Sequence, residues 1–173
     1  MNQKSKNEII EDMMRRPIPR KKVGLVRLQM VKEGRALYGM NRMTDPVKAV
    51  EMVSPLFAMA DREMMLVLSL NTRLEPMALE IAAVGSLNVC CIDYRDIFKH
   101  AILNNAAFIM SLHNHPTGNP EPREEDRKIT ARMEECGRML GIPMIDHIIF
   151  GEDSLYYSFK EQGRIKYSDE EVA

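Results

Sequence analysis

Apolar positions recur along this chain at two spacings. VGLVRLQMV (23–31) alternates apolar and polar residues and predicts a strand with one buried face. REMMLVLSL (62–70) is almost continuously apolar, as expected of a strand covered on both faces. After the turn NTRLEP, MALEIAAVG (77–85) predicts the returning arm of a hairpin. AAFIMSLH (106–113) predicts another buried strand, and PMIDHIIFG (143–151) and SLYYSF (154–159) two closing ones. Helical spacing separates these runs. Asp45 as N-cap and Pro46 at the first position open a helix to about Ala60, with Val47, Val50, Val53 or Ser54 and Phe57 on one face. Asp93–Asn105 repeats through Ile97, Ala101 and Ile102, and Pro122–Leu140 is a helix stopped by Gly141 and Pro143. Helices alternating with strands, some of them in hairpins, predict the α/β (α+β) class: a mixed central β-sheet flanked by helices.

Composition narrows the class. The 173 residues are 45% hydrophobic, enough for one domain with its own core. No apolar run approaches the roughly 20 residues of a membrane helix, and MNQKSKNEII lacks an apolar leader core. Three cysteines, Cys90, Cys91 and Cys136, without CxxC spacing indicate neither a disulfide framework nor a cysteine-zinc site. A cytoplasmic location is therefore expected. The formal charge of −1 conceals an asymmetry, because residues 1–42 carry eleven Lys/Arg against four Asp/Glu. Residues 1–22, with RRPIPRKK, read as a basic arm or linker, 23–160 as the domain and 161–173 as a polar tail. Such an arm suits DNA or an acidic partner. It equally suits a solvated arm docked on its own body, and no interleaved aromatics suggest base stacking.

The chemistry concentrates in MSLHNHPTGNPEPREED (110–126). Residues i and i+2 of a strand share a face, so His113 and His115 project together at a strand end while Asn114 points away. Pro116 ends ladder pairing, and the loop leads to a helix whose first turn carries Glu124, Glu125 and Asp126. Helical side chains lean toward the N-terminus, which lets Asp126 reach back to the two rings. Two imidazoles, a carboxylate and an open position match a catalytic zinc site. The plain alternative is a polar strand exit.

HNHPTGNPEPREED resembles the motif of JAMM (MPN-type) metalloproteases, H-x-H, seven residues, Ser, two residues, Asp, and more closely that of RadC-like JAB domains. LNTRLEPMALEIAAVGSLN and LGIPMIDHIIFG are similar to further strings of that family, so the resemblance covers about 45–160. It implies a JAB/MPN-like (cytidine-deaminase-like) fold, with His113, His115 and Asp126 as zinc ligands and Glu63, in DREMMLVL, as the catalytic glutamate. Without it, Glu80 would be an equal candidate for that role, although a solvent-facing strand residue is the expectation there. Arg123 stands where the motif has Ser; a guanidinium can donate to an oxyanion or fill the site and repel zinc.

The implied activity is zinc-dependent amide or isopeptide hydrolysis of a peptide or protein, with Glu63 as general base. The alternative is a non-catalytic RadC-like binding module, DNA-associated through the basic arm, although no DNA-reading helix is evident. Asp146 and His147 are a candidate pair orienting a ligand histidine, or simply a hydrogen-bonded structural pair. His100 is expected to be exposed, and Thr117-Gly118-Asn119 to form a plain turn. Fifteen methionines at periodic apolar positions read as core filling.

Overall fold

Strand alternation sorts the side chains of this protein onto two helical layers. The computed structural model describes Glu11, Arg15 and residues 42–58, 60–85 and 92–165. The strand expected over 23–31, Cys90, Cys91 and the end of the tail lie outside the described residues. The chain divides into two units, residues 1–34 and 35–173. In the first, Glu11 and Arg15 are helical and exposed and form an i,i+4 ion pair at 3.8 Å, a contact that contributes little to stability.

The second unit runs α1 (Pro46–Phe57), β1 (Met64–Leu70), β2 (Pro76–Val84), α2 (Tyr94–Leu103), β3 (Phe108–Asn114), α3 (Glu124–Leu140), β4 (Met144–Phe150) and β5 (Tyr156–Ser158). The sheet order is β2-β1-β3-β4-β5. β1 is antiparallel to β2 and β3, β3 is parallel to β4, and β5 closes antiparallel to β4. The β1–β2 pair is the hairpin expected from the sequence. The parallel β3–β4 pair requires a crossover, which α3 supplies.

Leu66, Leu68 and Leu70 of β1 and Met110 and Leu112 of β3 pack in one core with Val50 and Val53 of α1. The alternate residues Val67, Ile109 and Ile149 pack in the other with Ile97, Phe98 and Ala101 of α2 and Met133 of α3. The sheet is thus covered on both sides, as its continuous apolar strands require. Met65, Met110, Met133 and Met144 are buried among these residues, in the core-filling role expected of them.

Element ends differ from the sequence reading by at most three residues, with four instructive differences. Val47 is exposed, because α1 buries the stripe through Pro46, Ala49, Val50 and Val53. In α2, Ile102 is 51% exposed while Phe98 and His100 are buried; the helix is rotated so that an aromatic ring, the larger apolar surface, enters the core. Pro122 lies outside α3, whose N-cap is Arg123. Residues 161–165, expected as part of a loose tail, instead turn back through Arg164 N–H to Phe159 O at 2.8 Å, and Ile165 is buried.

Candidate metal centre

Parity along β3 places the histidines. Met110 and Leu112 face α1, so His113 faces the layer that contains α3. His115 follows one residue beyond the strand, its N–H bonded to Phe150 O at 2.9 Å. The first turn of α3 lies over both rings. His113 Nε2 is 3.1 Å from His115 Nε2. Asp126 Oδ1 is 3.3 Å from His113 Nε2, and Oδ2 is 3.3 Å from His115 Nε2. Glu63, just before β1, brings Oε1 to 3.8 Å from His115 Nε2. All four side chains are buried, and ligand atoms of Glu63, His113 and His115 lie within 4.8 Å of one another.

Each group is held from behind. His115 Nδ1 lies 2.8 Å from Asn119 O; a carbonyl only accepts, so Nδ1 is the donor, which fixes the ring with Nε2 toward the centre. His113 Nδ1 lies 2.9 Å from His147 Nε2, and His147 Nδ1 2.7 Å from Thr130 Oγ1. The His147 ring stacks on Phe159, nearly parallel at 5.1 Å. Asp126 Oδ2 accepts the Arg123 N–H at 2.7 Å, which also satisfies an otherwise unpaired donor at the start of α3.

Glu63 is fixed by two different contacts. The Asn114 carboxamide accepts from Met64 N–H at 2.8 Å and donates to Arg62 O at 3.1 Å, bracketing Glu63 on the backbone. Arg123 Nη1 donates to Glu63 Oε1 at 3.1 Å. The guanidinium therefore sits on the carboxylate of Glu63, and the three-residue cluster of His113, His115 and Asp126 converges without it.

The electrostatics suit a cation. Burial pushes the pKa of His113 down and that of His147 far down, favouring neutral rings. Burial opposes ionisation of Asp126, yet the two imidazole edges beside it outweigh that and hold its carboxyl well below the ordinary carboxylate range. Two ring nitrogens thus lie 3.1 Å apart, each 3.3 Å from an oxygen of the Asp126 carboxylate. That donor set, two nitrogens and a carboxylate oxygen, fits zinc or a similar divalent ion. Of the two bordering carboxylates, Asp126 touches both rings, whereas Glu63 is drawn toward Arg123.

The structure brings together His113, His115, Asp126, Glu63 and Arg123. His147 abuts the His113 ring, whereas the Asp146 carboxylate turns to Ser158 Oγ at 2.6 Å, Lys160 N at 3.0 Å and His147 N at 2.7 Å. Those contacts tie β4 to β5 and the turn that follows. Burial pushes Asp146 up to about 6 against these hydrogen bonds. His100 is a correction: it is buried on the side of α2 that faces the sheet, its Nδ1 3.2 Å from Ser69 Oγ and 3.6 Å from Glu80 Oε2. Glu80 is only partly exposed and lies beside His100 on the sheet face toward α2. Thr117–Asn119 form a turn, with Gly118 N–H bonded to His115 O at 3.0 Å. Sequence reasoning passed over Asn114 and Thr130. Asn114 was expected to point away from the histidines, which it does, but into the segment that carries Glu63. Thr130, one turn after Asp126, carried only the signal of its i+4 spacing.

Residues 43–164 match the family described as RadC-like JAB domain. The chain is 38% identical over 122 residues to a UPF0758 protein of Clostridium acetobutylicum, covering 70% of this chain and 53% of that one. It is 34% identical over 125 residues to a UPF0758 protein of Methanosarcina mazei, covering 72% and 54%. It is 46% identical over 93 residues to one of Alkaliphilus metalliredigens, covering 54% and 40%. The chain spans about half the length of these relatives.

Proposed function

This chain belongs to the RadC-like JAB domain family, and from that membership together with the geometry of its histidine centre we propose that it is a zinc-dependent hydrolase of amide or isopeptide bonds in a peptide or protein substrate. The single observation that carries this reading is the convergence of two buried ring nitrogens and the Asp126 carboxylate, with a second carboxylate, Glu63, 3.8 Å from His115. His113, His115 and Asp126 would hold the ion. Bound there, zinc would supply Lewis acidity and lower the pKa of water toward about 7.

The remaining work falls to the chain's own residues. Glu63 takes a proton from the attacking water and delivers it to the leaving amine. Asn114 keeps the Glu63 backbone in place during that transfer. Arg123 holds the Glu63 carboxylate and offers its remaining N–H groups to the oxyanion that develops on the substrate carbonyl. Its side chain is 35% exposed, so a substrate can reach it from solvent.

The test begins with metal analysis of the purified chain. About one zinc per chain is expected, lost in His113→Ala and retained in Glu63→Gln. New N-termini from a peptide library, read by mass spectrometry, should appear with the wild type and vanish with Glu63→Gln. Loss of zinc in Glu63→Gln would reassign Glu63 as a ligand; absence of zinc from the wild type would overturn the reading.

The Arg123–Glu63 contact favours a second reading, a binding module in which the base is neutralised by its guanidinium partner. The basic arm then suggests DNA. Zinc without any cleavage, together with salt-sensitive DNA binding lost on deleting residues 1–22, would select it.

A further inference from the structure

Where β3 and β4 end, a cavity of about 490 Å³ opens between the last turn of α1 and the β4–β5 turn. Its size lies in the ordinary range of ligand pockets. Asn114 and His115 line it, so it adjoins the histidine centre: His115 is a proposed ligand, and Asn114 brackets Glu63. Its apolar wall includes Phe57 and Phe150, whose ring centroids are 4.7 Å apart. Its acidic wall is Glu152 and Asp153. Neither carboxylate is ion-paired among the described residues, and none of the described residues lining the cavity is basic. Both acids are held in place. Glu152 N–H donates to Gly118 O at 2.9 Å, and the Glu152 side chain crosses Gly118 so closely that a Cβ there would lie 2.6 Å from Glu152 Cδ. The turn is closed by Leu155 N–H to Glu152 O and Gly151 N–H to Leu155 O, both at 2.8 Å. Its central residues, Asp153 and Ser154, stand at φ 50° and 63°, a pair of left-handed residues for which Asn-Gly is the usual choice. Neither is glycine, so the backbone is strained there. Strain of this kind collects at ligand clamps, and here it holds Asp153 at the rim of the cavity.

We propose that this cavity is the subsite for a lysine or arginine side chain of the substrate, beside the bond to be cleaved; the proposal rests on the hydrolase reading above and adds to it a preference for basic peptides. Two acids alone would not select such a ligand. The apolar wall does, since the methylene stem of a basic side chain packs on Phe57 and Phe150 while its head reaches the carboxylates of Glu152 and Asp153. A ring face beside that head also favours a cation over a neutral group. A wholly apolar side chain would leave both carboxylates without a counter-charge, and an acidic one would meet them at like charge. Because Glu152 and Asp153 are exposed to water, the discrimination is moderate, up to about fivefold for each pairing.

The test is made on the full chain with zinc, using a peptide library whose cleavage sites are read by mass spectrometry. Lysine or arginine should be enriched about 5- to 10-fold over methionine at one fixed position beside the cut. The double variant Glu152→Gln, Asp153→Asn should lose that enrichment. The readout is the ratio of basic to methionine peptides, so a general loss of activity does not imitate it. Glutamine keeps the packing across Gly118, and asparagine accepts the left-handed backbone of residue 153, so the turn is preserved. Binding is followed apart from cleavage by nitrogen-15 spectra of the full chain titrated with N-acetyl-lysine amide and with N-acetyl-norleucine amide. The lysine compound should shift the signals of Phe57, Phe150 and Glu152 and bind more tightly than the norleucine compound, and the double variant should bind the two alike. Cleavage without a basic preference, or with one that the double variant keeps, overturns the proposal and leaves the hydrolase reading standing. No cleavage by the wild type overturns the hydrolase reading and the substrate role with it; a lysine-selective shift that the double variant loses then upholds the cavity as a site for basic side chains. Cavity signals that respond to neither compound, or to both equally, overturn that site as well. Signals that change on dilution instead would seat a second copy of the chain there, which also overturns it.

Discussion

Arg123 carries two duties that a serine could not combine. It caps α3 through its backbone N–H, which the Asp126 carboxylate accepts, and its guanidinium restrains Glu63. Because the guanidinium bonds to Glu63 and not to the three proposed ligands, Arg123→Met should leave zinc content unchanged. The loss of its donors should lower kcat about 100-fold, the scale of one missing oxyanion contact; unchanged turnover would remove Arg123 from the chemistry. His100 shows the opposite case, a titratable residue with no access to the centre. Burial pushes its pKa down to about 4. The Glu80 carboxylate 3.6 Å away would favour the charged ring, but Glu80 is itself pushed up by burial, so desolvation prevails. A histidine with a depressed folded-state pKa protonates first in the unfolded chain. Its contribution is complete above about 6.5 and is lost as pH falls toward about 4. His100→Gln should therefore lose less stability than the wild type between pH 7 and pH 5, as measured by urea unfolding at each pH.

Among the elements, the loop after β3 depends on a glycine in another part of the chain. A Cβ on Gly151 would lie 2.3 Å from Gly118 O and 2.7 Å from Pro120 Cδ. Gly151 thus lets the end of β4 approach the segment whose Asn119 carbonyl fixes the His115 ring. Gly141 serves a different purpose: at φ 68° it ends α3 in the left-handed region, with nothing within 4 Å of its missing side chain. The two alanine variants should separate. Gly141→Ala should cost about 1 kcal/mol of stability from backbone strain and leave zinc affinity intact. Gly151→Ala should displace the loop and weaken zinc binding about 10-fold, because His115 loses its restraint. Equal zinc affinities in a chelator competition would show that the loop does not position His115.

At the scale of the molecule, the sequence revealed those features that depend on near neighbours. The β1–β2 hairpin, the buried β3 and the α3 crossover were legible because apolar runs and turn residues act over a few positions. His113, His115 and Asp126 were legible because one strand end, one loop and one helical turn bring them together. Glu63 came only from the family resemblance, since it joins them across a strand pairing fifty residues distant. Thr130 and Asn114 escaped for the same reason, and the burial of His100 because a helix's rotation is decided by what it packs on. This division has a thermodynamic consequence. The proposed ligands straddle the junction of β3 with α3, so only the folded chain presents them together. Zinc should therefore bind the native state and stabilise it by mass action, about 2.7 kcal/mol at a free concentration of 100 times Kd. For a domain of this size that corresponds to a Tm rise of roughly 5–10 °C. A thermal scan should show the rise with added zinc, its reversal by a chelator, and no response in His113→Ala. A wild type whose Tm ignores zinc would mean that the site does not link the sheet to the helix through a metal.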